Sequence, residues 1–440
     1  MAGTFKGGIH PFGGKEVSQD KTTTTLLPKG ELVYPMLQHI GTPAKPIVAK
    51  GDKVLVGQKI GVADGAVSSC VICSVSGTVK AVEPRLTANG EMVESVVVEN
   101  DHEYTAIDGM GRERDYTKLT KEEIRNIVKE AGIVGMGGAG FPTHIKLTPK
   151  DDNKIDYVIA NGAECEPYLT SDYRVMIEQP ERIIKGLKIV LSLFPKATGL
   201  IAIEDNKPEA IKTMKRLASK EKNIEVRVVK TKYPEGGERH LIYATTGRKM
   251  NSSMLPFDTG CIVNNVDTLV SIALAVTEST PLIRRVLTVT GDAIKDPKNI
   301  IVPTGTQYTE LLEAAGGFVA TPQKMISGGP MMGLAIYSLD IPVTKTSSAL
   351  LAFLKDEVEE MPQLNCIHCG RCVQVCPCGL IPQKMMECAI RFDHDGYEKL
   401  HGMECYECGC CTYNCPSGIF LTQAFKQTRR AILEERKRVK

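Results

Sequence analysis

Tryptophan is missing from the chain, and so is a surplus of either charge: among 440 residues, 54 lysines and arginines face 52 aspartates and glutamates, for a net charge of +2. So close a balance gives no global attraction to a polyanion such as nucleic acid. Long apolar runs are lacking too. The most apolar windows, Leu269–Val276 and Ile189–Phe194, are shorter than ten residues, whereas a bilayer-spanning helix needs ~18. The opening MAGTFKGGIHPFGG carries no signal-type apolar core. These absences predict a protein on the cytoplasmic side that meets a membrane only through partners. Cysteine is scarce over the first 365 residues, with only Cys70, Cys73, Cys165 and Cys261, and then crowded, with eleven of the fifteen beyond that point. A disulfide framework spreads through a short secreted domain, whereas a metal site gathers its ligands locally. Metal ligation is the expectation.

With 42% apolar residues the composition is ordinary for a globular protein, and the length suits three or four domains. Residues 1–110 alternate short β-rich runs with turn signals and predict a small β domain. Val48–Ile60 followed by Cys73–Val79 resembles the lipoyl and biotinyl family of barrel-sandwich hybrids. Those carriers need a hairpin lysine between the two segments, and Gly61–Ser76 contains none; the resemblance implies the fold and a structural role. Cys70-Val-Ile-Cys73 is an isolated C-x-x-C pair and reads as packing residues. Over 111–255, helices at Lys121–Ala131, Glu178–Phe194 and Pro208–Ser219 alternate with strands at Tyr157–Ala160, Gly199–Ile203 and Ile224–Val229. That is the pattern of a parallel sheet covered on both faces. Residues 256–350 read as a small mixed β domain with helices over Val266–Thr277 and Tyr308–Ala315, and 351–440 hold the cysteines and a closing helix, Leu421–Arg436.

Two runs in that last region, Cys366-x2-Cys369-x2-Cys372-x3-Cys376-Pro377 and Cys405-x2-Cys408-x2-Cys411-x3-Cys415-Pro416, repeat one spacing 39 residues apart. This is the two-cluster ferredoxin spacing, in which three thiolates hold one 4Fe-4S cube and the fourth crosses to the other. One cluster is therefore expected on Cys366, Cys369, Cys372 and Cys415, and the other on Cys405, Cys408, Cys411 and Cys376. A zinc site has no use for the extra cysteine in each half. Cys378, Cys388 and Cys410 fall outside the spacing and read as packing residues; His368 reads as a loop residue between ligands.

Single-electron carriers need an electron source, and Gly135-Met-Gly-Gly-Ala-Gly-Phe-Pro-Thr-His-Ile-Lys146 offers one. Its glycines let backbone approach a phosphate or ring closely, and Lys146 supplies a cation. The loop follows a helix, not a strand, so it is no ordinary dinucleotide fingerprint. Together with Asn161-Gly-Ala-Glu-Cys-Glu-Pro167, Tyr233-Pro-Glu-Gly-Gly-Glu238 and Cys261-Ile-Val-Asn-Asn-Val-Asp-Thr-Leu269, in that order, it resembles the NADH-binding flavin subunit of respiratory complex I. The resemblance implies an FMN set of Gly135, Gly137, Gly138, Gly140, Lys146, Asn161, Glu164, Tyr233, Gly236, Asn264, Asn265 and Thr268, and an NADH set of Phe141, Glu166, Tyr233 and Glu238. Met136, Ala163 and Gly237 depart from that family, standing for an arginine, an acidic residue and a glutamate. Ile326-Ser-Gly-Gly-Pro-Met-Met-Gly333 resembles the soluble-ligand-binding β-grasp domain of the same assembly and reads as a structural turn.

With Phe5-Lys-Gly-Gly-Ile-His-Pro11 at the start, the order of modules resembles the C subunit of the Rnf electron transport complexes. It is a multidomain α/β plus β chain: a barrel-sandwich hybrid, a Rossmann-like FMN/NADH domain, a β-grasp domain and a ferredoxin-like helical domain with two 4Fe-4S clusters. The resemblance implies an oxidoreductase in which NADH exchanges hydride with FMN and two clusters carry single electrons. No side chain is expected as a catalytic group, because the cofactors supply the chemistry. It also implies a membrane complex coupled to Na+ or H+ translocation, with its other subunits and an iron-sulfur partner or ferredoxin as electron partner, and peripheral attachment. A cobalamin-reductase-like flavoprotein, which shares the modules but begins near the flavin loop, and a relay whose flavin fold is vestigial are the alternatives.

Overall fold

The computed structural model describes residues 2–438. The first module is two small antiparallel sheets, one of Leu32–Pro35, Met92–Asn100, Gly77–Leu86 and Lys53–Val54, the other of Lys45–Pro46, Lys59–Val62 and Val71–Ile72. Tyr34, Met36, Ile60, Val71, Val79, Val96 and Val98 fill the space between them, with Cys73 among them. Burial there pushes the Cys73 thiol up to about 11, and Cys70 beside it is buried as well.

The second module is a four-stranded parallel sheet in the order Ile224–Val229, Thr198–Glu204, Tyr157–Gly162, Cys261–Asn265. Strand side chains alternate between faces. Val158, Ala160, Ile201 and Ile203 pack under Lys121–Glu130, Pro180–Leu193, Pro208–Ala218 and Val266–Glu278. Ile159, Leu200, Ala202 and Val263 pack against Leu241 and Ile242 of Glu238–Thr246. The break expected between 255 and 256 falls inside this unit, because Cys261–Asn265 pairs in parallel with Tyr157–Gly162 and Val266–Glu278 covers the sheet. The helix expected over Glu178–Phe194 is Pro180–Leu193, and a separate helix, Ser171–Glu178, runs up to its start. Proline cannot extend the earlier helix and is well suited to start the later one. The chain order reverses between Tyr157–Gly162 and Cys261–Asn265, and in open α/β sheets ligands bind at the carboxyl ends of strands at such a reversal.

The third module is a six-stranded mixed sheet, Thr24–Thr25, Lys298–Pro303, Arg284–Thr290, Ala349–Phe353, Lys324–Ser327 and Leu334–Ile336, with Tyr308 and Leu311 of Tyr308–Ala314 in its core. Thr24–Thr25 comes from the N-terminal segment, and Ala349–Phe353 spans the break expected at 350/351. The last module packs short helices against Leu421–Arg438 around Leu380, Met385, Tyr397 and Phe425. Its duplication extends to backbone: His368 and Glu407 are left-handed at φ 52° and 55°, Gly370 and Gly409 at 74° and 83°, and Gly379 and Gly418 at 67° and 63°. No helix among the described residues is long and apolar enough to cross a membrane.

Candidate functional site

The glycine loop leaves a helix that Thr120 and Glu123 start with a reciprocal capping box. It closes on itself where Gly135 N donates to Phe141 O at 2.9 Å, and Gly137, Gly138 and Ala139 at its tip are exposed. A side chain on Gly138 would meet nothing within 4 Å, whereas one on Gly137 would stand 3.1 Å from Asn265 Cβ. Gly140, at φ +72°, is backed by Thr346 and by the first module: Ile40 N donates to Ala139 O at 3.0 Å, and a Cβ on Gly140 would lie 2.6 Å from Thr346 Cγ2 and 3.0 Å from His39 Cα. The barrel-sandwich module and the segment at Thr346 thus form the floor under the loop. Lys146 reaches back from Thr143–Lys146 to Val263 O at 3.2 Å and to Glu238 Oε1 at 3.8 Å.

Asn264 is 1% exposed, and neither its Oδ1 nor its Nδ2 has a partner. A buried amide left so costs about 1–3 kcal/mol per unmet group, which a polar ligand at the strand ends removes. With the open glycine tip and a lysine beside it, this set fits a phosphorylated flavin.

Other residues expected at the ligands are engaged in holding loops. Thr268 Oγ1 accepts from Met136 N at 3.0 Å, and the Met136 carbonyl accepts from Arg285 at 3.3 Å. Arg285 is paired in turn with Asp267 at 2.6 Å, so a buried arginine from the β-grasp strand reaches the position where the family's own arginine is absent. Asn265 accepts from Asp267 N and donates to Asp172 Oδ2 at 2.7 Å. Burial, with Glu164 nearby, pushes the Asp172 carboxyl up to about 7. Asn161 donates to Gly236 O at 2.9 Å and accepts from Ala163 N, while Gly236 N meets Cys165 Sγ at 3.2 Å. Glu164 accepts from Asp172 N at 2.6 Å and Tyr173 N at 3.3 Å, which caps Ser171–Glu178. Glu166 accepts from Met331 N at 3.1 Å and Met332 N at 3.0 Å, and burial pushes it up to about 7. The turn at 328–333 is therefore the seat of an internal carboxylate.

Tyr233 lies between this crevice and the cysteines. It is buried, its hydroxyl donates to Cys408 O at 2.8 Å, and Cys410 Sγ stands 3.9 Å from its carbonyl. Cys376, Cys405, Cys408 and Cys411 line one hollow closed by Leu380, Met385 and Phe425. That is one of the two ligand sets expected from the spacing. Cys378 and Cys410, expected as bystanders, line it too. Without iron, burial and the neighbouring thiols hold Cys405 and Cys411 up at about 12; a metal inverts this by taking the thiolate outright. In the other set Cys366 and Cys369 are exposed, and Cys372 and Cys415 are half-buried. Leu364 N donates to Ser417 O at 2.9 Å, which lays the Cys366 segment beside the Cys415 turn. Among the described residues no three His, Cys, Asp or Glu side chains are set for a single metal ion. Sequence reasoning missed Lys15, Asp172 and Arg285, whose partners come from distant segments.

A crevice that fits a phosphorylated flavin, joined to a hollow of cysteines, has the make-up of an electron-transfer flavoprotein with iron-sulfur clusters, and known protein families match it module by module. Residues 128–274 match the Nuo51 FMN-binding domain, 3–103 the RnfC barrel sandwich hybrid domain, 286–335 the SLBB domain and 364–419 a 4Fe-4S dicluster domain. The chain is 42% identical to the C subunit of the proton-translocating ferredoxin:NAD(+) oxidoreductase complex of Clostridium ljungdahlii, over 88% of this chain and 84% of that one. It is 44% identical to the C subunit of the Na(+)-translocating ferredoxin:NAD(+) oxidoreductase complex of Acetobacterium woodii, over 88% and 87%. It belongs to this family, the C subunits of the ion-translocating ferredoxin:NAD(+) oxidoreductase complexes, and its cofactors are FMN and two 4Fe-4S clusters. An NAD+-reducing NiFe-hydrogenase in the air-oxidized state shares the fold at TM-score 0.50 and 18% identity, over 74% of this chain and 68% of that chain.

Proposed function

We propose that the chain is the NAD(H)-reactive flavin and iron-sulfur subunit of a membrane-bound complex, peripheral on its cytoplasmic face, that exchanges electrons between NADH and a ferredoxin-type partner and is coupled in the complex to ion translocation. When bound, FMN takes a hydride as a pair and yields electrons singly, which matches a two-electron nicotinamide to one-electron clusters. Lys146 and the Gly135–Gly140 backbone hold the flavin phosphate and ring edge, and Asn264 supplies the amide hydrogen bonds. Phe141, Glu238 and the loop of Glu166 border the nicotinamide side. The hollow of Cys376, Cys405, Cys408 and Cys411 is the nearer electron site, and the exposed Cys366, Cys369, Cys372 and Cys415 set faces the partner. The hydrogen bond from Tyr233 to Cys408 O, 2.8 Å long, carries this reading, because it joins the crevice to the enclosed hollow.

The coupling ion belongs to the partner subunits in this reading, since relatives at 42% and 44% identity are named for different ions. Anaerobic reconstitution with FMN, iron and sulfide, followed by titration with NADH, should bleach the flavin and then reduce both clusters in visible and paramagnetic resonance spectra. Loss of the bleaching with both cofactors loaded would overturn the assignment.

A further inference from the structure

Lys15 lies in a glycine-rich stretch with no motif around it, and the flavin and cluster chemistry does not use it. Its side chain is nonetheless only 12% exposed, and its Nζ donates to Glu164 O at 3.0 Å, Glu166 O at 2.9 Å and Leu169 O at 2.5 Å, with Glu164 Oε2 4.0 Å away. An ammonium has three donors, and here all three end on backbone carbonyls of one short loop. We propose that Lys15 is a positioning residue for the nucleotide-side loop, an internal cation around which Glu164–Leu169 is folded.

The loop needs such a centre. Glu164 and Tyr168 are left-handed at φ 50° and 66°, and residues without glycine's freedom keep that conformation only where the surroundings over-determine it. The surroundings here are the N-terminal strap. Tyr168 N donates to Gly13 O at 2.6 Å, and Gly14, at φ +60°, packs so closely that a Cβ on it would lie 2.4 Å from the Tyr168 ring. On the other side, Glu166 is fixed to the backbone of Met331 and Met332. Two modules outside the parallel sheet therefore set the shape of a loop that begins at its strand ends. Removing the ammonium leaves three inward carbonyls without donors and Glu164 with only Lys207 to balance it, so the loop relaxes away from its bound shape. Arginine does not replace it, because a planar fork cannot occupy the centre that a compact ammonium fills.

The inference rests on the reading that this loop borders the nicotinamide nucleotide, and the test separates the two. Full-length wild type, Lys15→Met and Lys15→Arg are loaded anaerobically with FMN, iron and sulfide. NADH-driven flavin bleaching is then followed together with iron content and hydrogen exchange of residues 161–170 with and without NADH. Expected for both variants is a rise of about tenfold or more in the NADH concentration for half-maximal bleaching. The rate at saturation should stay within about twofold and the iron content unchanged, since no contact of Lys15 reaches the cysteine region. An unchanged half-saturation in Lys15→Met, whatever happens to its melting temperature, overturns the positioning role. Absence of NADH protection over 161–170 in the wild type overturns the underlying placement of the nucleotide. If Lys15→Met fails to load cofactors, Gly14→Ala disturbs the same loop through Tyr168 and is read by the same criteria.

Discussion

Glu235 sits two residues beyond Tyr233 with 0% exposure, and neither carboxylate oxygen has a partner. Burial and the neighbouring Glu204 and Asp205 push it up to about 8, with Lys232 opposing. The folded chain therefore keeps a proton that the unfolded chain releases above the ordinary carboxyl range. Its stabilising contribution is complete below about pH 4.5 and fades as pH rises toward 8. Glu235→Gln should flatten the fall in melting temperature between pH 5 and 8 and make the variant the more stable form at pH 8; parallel curves for the two proteins would refute this. At this scale the sequence was informative about identity and less so about role. The family resemblance singled out Glu164 and Glu166, but not that one carboxylate caps a helix while the other binds a turn 165 residues away. Lys15 could not be found at all, because its partners lie about 150 positions on.

Among elements, the strap formed by residues 3–15 touches the parallel sheet, the nucleotide-side loop and the cysteine region. Gly3 pairs with the edge strand at Val229, Ile9 exchanges backbone hydrogen bonds of 2.9 Å with Tyr233, and Gly8 N donates to Val375 O at 2.8 Å. Gly7 is at φ +80°, and a Cβ there would stand 2.6 Å from Cys376 O. Gly7→Ala should therefore shift the enclosed cysteine hollow relative to Tyr233. Stopped-flow spectra should show slower cluster reduction after an unchanged flavin bleaching, and equal rates for both phases would sink the idea. Periodicity revealed the long helices and buried strands because each packs a regular face. The strap has no periodicity, since its order comes from partners that it threads between. The misplaced boundary at 255/256 has a related cause: Cys261–Asn265 is five residues of buried strand, too short to announce which sheet it joins.

Across the whole molecule, the two cysteine sets differ in access. Cys366 and Cys369 are exposed, whereas the other set is closed in by Leu380, Met385 and Phe425. An iron chelator under mild anaerobic oxidation should remove iron in two phases, the first taking about half and leaving the resonance signal of the enclosed cluster; a single phase would contradict this. The two ligand sets are proposed from spacing, because coordination imposes a fixed spacing on the chain. Module order was legible for the same reason, each module having its own motif. How the modules lean on one another was not, because Ile40 on Ala139, Arg285 on Met136 and Glu166 on Met331 are single contacts with no local pattern.

The strap also bears on how the chain is made. Gly8 is synthesised long before Val375, the residue to which its amide donates. At ~5–20 residues per second, roughly 20 to 70 s separate the two on the ribosome. Its strand-edge partners, Val229 and Tyr233, emerge part-way through that interval, and the iron-binding region only at its end. Docking of the cluster region on the strap thus follows the strap's docking on the sheet, and iron insertion can precede or accompany the closing of the path from flavin to cluster.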